Sequence, residues 1–115
     1  MMDVVVVSQA GNYRNSLVAL VKSAPNVGQV FVMDGINSLE EIPLKSAPGF
    51  VVMDSAAANG ELGFWLDLVQ ARWPLARRVL LTDRIETVGK PGMDGVGEVM
   101  SKSISAGEFY RLFRQ

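Results

Sequence analysis

Three side chains able to do chemistry stand directly after short apolar runs. Asp54 follows Phe50-Val51-Val52-Met53, Thr82 follows Val79-Leu80-Leu81, and Lys102 follows Val99-Met100-Ser101. A carboxylate, a hydroxyl and an ammonium gathered in one place suit phosphoryl chemistry. The carboxylate can act as the nucleophile toward phosphorus. The hydroxyl and the ammonium can hold the phosphoryl oxygens and offset their charge. Taken singly, each residue has a plainer reading. An Asp after a strand commonly caps the next loop, a Thr commonly just ends a strand, and a Lys is ordinarily solvated. It is the shared position at run ends that raises the three together. Asp34-Gly35, after another such run, reads as a turn feeding a helix.

Composition removes most other chemistries. The 115 residues contain no Cys and no His. Disulfides, thiolate zinc sites, Cys nucleophiles and His-based triads are therefore excluded. Lys plus Arg is 11 and Asp plus Glu is 12, a net charge of −1, so the basic footprint of a free-standing nucleic-acid binder is missing. With 49% hydrophobic and 20% charged residues, the balance is that of one globular domain spanning residues 1–115. The run Val4 to Val7 is too short for a signal peptide or a membrane span. The expectation is a soluble, cytoplasmic protein.

The elements that must position the three residues follow from the pattern. Val-rich runs of strand length recur at Val4 to Val7, Val30 to Met33, Phe50 to Met53, Val79 to Leu81 and Val96 to Met100. Runs that are apolar on both faces and alternate with helices imply a parallel sheet covered on both sides. A first helix is expected from Asn12 to Ala24, with a stripe of Tyr13, Leu17, Leu20, Val21 and Ala24 ended by Pro25. A second, Ile36 to Lys45, is interrupted by Pro43. The third, Glu61 to Trp73, carries Leu62, Trp65, Leu66, Val69 and Trp73 on one stripe and stops before Pro74. Between Thr82 and Val96 the glycines leave room for a turn or two of helix. The last helix opens at Ser105-Ala106-Gly107-Glu108, a capping-box spacing, and turns Phe109, Leu112 and Phe113 to the core. In an open parallel sheet, ligands gather at the carboxyl ends of the strands, which is where Asp54, Thr82 and Lys102 fall.

The ordered set resembles the receiver domains of two-component response regulators, the CheY-like domains, over nearly the whole chain. Thr82 and Lys102 lie 28 and 48 residues beyond Asp54, close to receiver spacing. Arg14 and Leu17 sit where receivers often carry Arg and Leu. The stretch from Asp94-Gly95-Val96 through Lys102-Ser103-Ile104-Ser105-Ala106-Gly107-Glu108-Phe109 looks like the end of receivers of the NarL/LuxR type. The resemblance implies a flavodoxin-like three-layer α/β sandwich with strand order 2-1-3-4-5. It implies Asp54 as the phosphoacceptor, Thr82 as the hydroxyl that follows the phosphoryl group, and Lys102 as its pairing Lys. It also implies a signalling rather than an enzymatic role in a phosphorelay, with a histidine kinase or other phosphodonor and Mg²⁺ as cofactor. An output module outside this chain, a LuxR-type DNA-binding domain acting in transcription regulation, would be the target. A homodimer through the last strand and helices, with Tyr110 near it, is a further implied partner.

The sequence departs from that pattern at the metal. Receivers bind Mg²⁺ through an acidic pair after strand one plus the acceptor Asp; Ser8 and Gln9 stand there instead. Asp54 is left as the charged ligand, so weak Mg²⁺ binding and slow or absent phosphorylation are expected. Asp83 is near the same rim but is expected to point elsewhere. The aromatic that receivers often carry three residues before the Lys is Val99 here. The alternative reading is a phosphorylation-independent pseudo-receiver, a protein-interaction or dimerisation module. Phe64 and Leu68, off the core stripe of the third helix, would be a partner surface unless the loop Ala56 to Gly60 covers them. A small flavodoxin-like ligand binder is a third reading, opposed by the sparse Ser8 to Asn12 stretch, which is no phosphate loop. The glycines between Gly89 and Gly97 match neither GxGxxG nor a P-loop.

Overall fold

The computed structural model describes residues 2–35, 47–58, 62–83, 98–103 and 105–113. Five strands, β1 (Met2–Val7), β2 (Val27–Met33), β3 (Phe50–Asp54), β4 (Arg77–Thr82) and β5 (Glu98–Ser101), form one sheet in the order β2-β1-β3-β4-β5. Every neighbouring pair is parallel. This is the expected order. The expected helices over Ile36 to Lys45 and between Thr82 and Val96 lie outside the described residues.

β1 shows why the sheet must be covered on both sides. All four valines, Val4 to Val7, are fully buried although successive side chains point to opposite faces. Val5 and Val7 meet Val51, Met53 and Leu80 on one face, under Trp65, Leu66 and Val69 of helix α2 (Leu62–Arg72) and Trp73 just past its end. Val4 and Val6 meet Val52, Val79 and Leu81 on the other. Helix α1 (Asn12–Ser23) covers that side with Leu17 and Val21, and helix α3 (Ala106–Tyr110) with Phe109. The rings of Phe109 and Phe113 lie 5.3 Å apart, and Phe113 lies 4.7 Å from Phe50.

The helix ends follow their signals. α1 stops at Ser23 before Ala24 and Pro25. Ser105 caps α3, its hydroxyl accepting the Glu108 N–H at 3.2 Å, after which a 3₁₀ turn (Arg111–Phe113) ends the described chain. α3 is thus shorter than a regular terminal helix. β2 and β4 begin before their apolar runs, at Val27 and Arg77. Backbone pairing extends them: Met2 pairs with Val27, and Phe50 with Arg77. Arg78 is consequently buried, and its Nη1 donates to the Leu66 carbonyl at 3.0 Å. Leu68 is half-buried against the α2-side core, whereas Phe64 is 59% exposed. Among the described residues no helix is long and apolar enough to cross a membrane.

Candidate functional site

The carboxyl ends of β1, β3 and β4 and the turn after β5 converge on Asp54. Register explains the convergence. Val7 pairs with Met53, Asp54 with Leu81, and Thr82 with Ser101. Ser8 therefore falls level with Asp54, Thr82 one residue beyond it and Lys102 two residues beyond it. Asp54 is buried, as are Ser8 and Thr82. The Lys102 N–H donates to the Thr82 carbonyl at 3.0 Å, which anchors the turn after β5 to β4. The Ser8 N–H donates to the Met33 carbonyl at 2.9 Å, which does the same between β1 and β2.

The Asp54 carboxylate is fully engaged. Oδ2 accepts from the Ser8 hydroxyl at 3.1 Å. Oδ1 accepts the Ala56 N–H at 3.0 Å and lies 2.6 Å from Lys102 Nζ. The Ala56 bond is the short turn by which an Asp after a strand fixes the next segment, here the 3₁₀ turn Ser55–Ala58. The capping role and the site role thus coexist in one side chain. The Lys102–Asp54 pair is mostly withdrawn from water, with the two side chains 16% and 8% exposed. Opposite charges at this distance in such a setting hold each other firmly.

Two further residues, outside the set expected from the sequence, reach Lys102. Asp83 was expected to point away; its Oδ2 instead lies 3.8 Å from Lys102 Nζ. β4 ends at Thr82, so strand alternation no longer governs Asp83 and a largely solvated carboxylate can turn toward the cation. Tyr13, on the first turn of α1, presents its ring to Lys102 Nζ at 4.9 Å from the centroid. Its place on the core stripe gave the only hint of this. Its phenol is pushed from 10.0 up to about 12, by burial first and then by the charges of Asp54 and Asp83. On the α1 rim, Arg14 pairs with the exposed carboxylate of Asp34, so Asp34 is an ion-pair partner as well as a turn residue.

The donors present do not fit Mg²⁺. That ion takes hard oxygen ligands in near-octahedral geometry, with carboxylates and retained waters. Here one buried carboxylate faces the position, and it already bears an ammonium. Ser8 spends its proton on the same group, and Gln9 is exposed. Among the described residues no three acidic, His or Cys side chains gather as a metal site. Val99 is half-buried and packs with the α2-side core, on the opposite face of the sheet from the core that Tyr13 joins.

No protein-family model matches the chain, and none of the curated proteins does. Solved structures do match it in three dimensions. A response regulator from Thermotoga maritima superposes with a TM-score of 0.77 at 13% identity, covering 99% of this chain and 95% of that one. A LuxR family DNA-binding response regulator from Silicibacter pomeroyi gives 0.73 at 14% identity, covering 96% and 87%. A response regulator protein from Burkholderia pseudomallei, solved with a phosphorylated aspartic acid and a calcium ion, gives 0.69 at 16% identity, covering 95% of this chain and 64% of that one. Identities this low speak to architecture alone. The sheet order, the two covering layers and these superpositions together show that the chain has the receiver-domain fold of response regulators.

Proposed function

We propose that this chain is an atypical receiver domain of a two-component signalling response regulator, with Asp54 at the phosphoacceptor position. The observation that carries the reading is the buried Asp54–Lys102 pair at the carboxyl edge of the sheet, 2.6 Å apart. In the transfer, a carboxylate oxygen of Asp54 forms a bond to the donor's phosphorus. The bond from phosphorus to the donor's leaving group breaks, and that group departs with the electron pair. Lys102 turns its charge to the phosphoryl oxygens, and Thr82 offers its hydroxyl to them. The role is signalling rather than turnover of a substrate. A histidine kinase or other phosphodonor supplies the group. The output is a module outside these residues, and the LuxR family neighbour from Silicibacter pomeroyi supports a DNA-binding one.

A second reading has its own observation. Asp54 is satisfied by Ser8, Ala56 and Lys102, so it needs neither a cation nor a phosphoryl group. A phosphorylation-independent interaction module fits that closed arrangement, and exposed Phe64 is a surface for it. One experiment separates the two. The protein is incubated with acetyl phosphate and Mg²⁺ and weighed intact beside Asp54→Asn. A phosphoryl adduct in the parent, absent from the variant, is the expected result and proceeds slowly. A folded parent that takes up none overturns the acceptor role and leaves the interaction module.

A further inference from the structure

The ammonium of Lys102 has more neighbours than phosphoryl chemistry requires. It lies 2.6 Å from Asp54 Oδ1, 3.8 Å from Asp83 Oδ2 and 4.9 Å from the centre of the Tyr13 ring. Two carboxylates and one π-face thus surround a single cation. The face of an aromatic ring attracts an ammonium at this range. The backbone of Lys102 lies in a turn beyond the end of β5, so the strand does not aim the side chain. Its direction comes from these contacts. Asp83 is solvated and its pull is screened. Tyr13 is half-buried on a packed helix and stays in place.

Tyr13 and Lys102 also share a second boundary. Together with Leu17, Leu20, Leu81 and Phe109 they line a mostly apolar cavity of about 130 Å³ where α1, β4 and α3 meet. Part of this cavity's wall is therefore the residue that pairs with Asp54. A shift of the Lys102 side chain alters the shape of that wall.

We propose that Tyr13 is the positioning residue of Lys102: its ring is a second seat for the ammonium and ties the charge of Asp54 to the packing between α1 and α3. With Asp54 ionised, the ammonium is held between carboxylate and ring. When the charge on Asp54 is removed, the ammonium rests on Tyr13 and the cavity wall moves with it. The positioning rests on the geometry alone and does not depend on the acceptor reading above.

Proton and carbon shifts of the Lys102 ε-methylene group in the full chain test this. A methylene beside a ring face is displaced upfield relative to the other lysines. The displacement is expected in the parent and in Tyr13→Phe, which keeps the ring, and is lost in Tyr13→Leu. Asp54→Asn is expected to change it, and to move the methyl signals of Leu20 and Leu81, only while the ring at position 13 is present. A parent in which Lys102 resonates with the other lysines overturns the proposal. So does an Asp54→Asn variant that leaves both Lys102 and the leucine methyls unmoved. Both readings come from proteins with the Tyr13 ring intact, so they hold even if Tyr13→Leu fails to fold. An absent phosphoryl adduct beside an intact ring displacement would instead count against the acceptor reading alone.

Discussion

A single phenol reports on the charge around Asp54. Tyr13 is neutral in the folded protein up to about pH 12, because burial and the carboxylates of Asp54 and Asp83 disfavour the phenolate. In the unfolded chain it ionises near its ordinary value of 10.0. Between those two values the unfolded state has released a proton that the folded state keeps, so stability falls as pH rises. The contribution is complete below about pH 10 and gone above about pH 12. Chemical denaturation across this window is expected to show a fall in the parent that is reduced in Tyr13→Phe. An equal fall in both proteins would mean that Tyr13 does not carry the effect.

At the scale of the element, the way α1 begins decides where Tyr13 and Arg14 stand. Gly11 precedes the helix with φ 154° and ψ −179°, a region open essentially to glycine alone. The turn lets the chain leave Ser8 at the sheet edge and enter α1 immediately. A Cβ at Gly11 would meet no atom within 4 Å, so Gly11→Ala tests backbone strain free of steric clash. It is expected to destabilise the protein by about 1–3 kcal/mol and to disturb Tyr13 and the Lys102 signals together. A denaturation midpoint equal to the parent's would show that the chain reaches α1 by another backbone path.

At the scale of the whole molecule, the last described turn closes the core. Phe113 is fully buried, packs its ring at a tilt against Phe50 and edge-on to Phe109, and its carbonyl accepts from the Asn26 side-chain amide at 3.2 Å. It therefore joins the end of the chain to β3 and to the turn before β2. Phe113→Ala is expected to cost about 3–5 kcal/mol, and it removes a wall that α3 shares with α1. Equilibrium unfolding by urea measures it. A loss below about 1 kcal/mol, the scale of a surface substitution, would place Phe113 outside the cooperative core.

Much of this architecture was legible in the order of residues. Valine runs with no polar face require burial on both sides, which is a parallel sheet between helices. The stripe from Trp65 to Trp73 could only be a helix on that sheet. Asp54, Thr82 and Lys102 were readable because each ends such a run, and parallel strands bring their carboxyl ends to one edge. The tertiary structure alone decided what those side chains touch. Asp83 faces Lys102 rather than away from it because β4 stops at Thr82, and the direction of a residue past a strand end is set by the charge it meets. Arg78 extends β4 into burial because its backbone pairs with β3. Tyr13 had the pattern of a core residue, and nothing local marks its ring as the seat of a cation far along the chain. Periodicity reports how a segment faces the core. Contacts between segment ends depend on how the segments are stacked, and that is settled only when the sheet has formed.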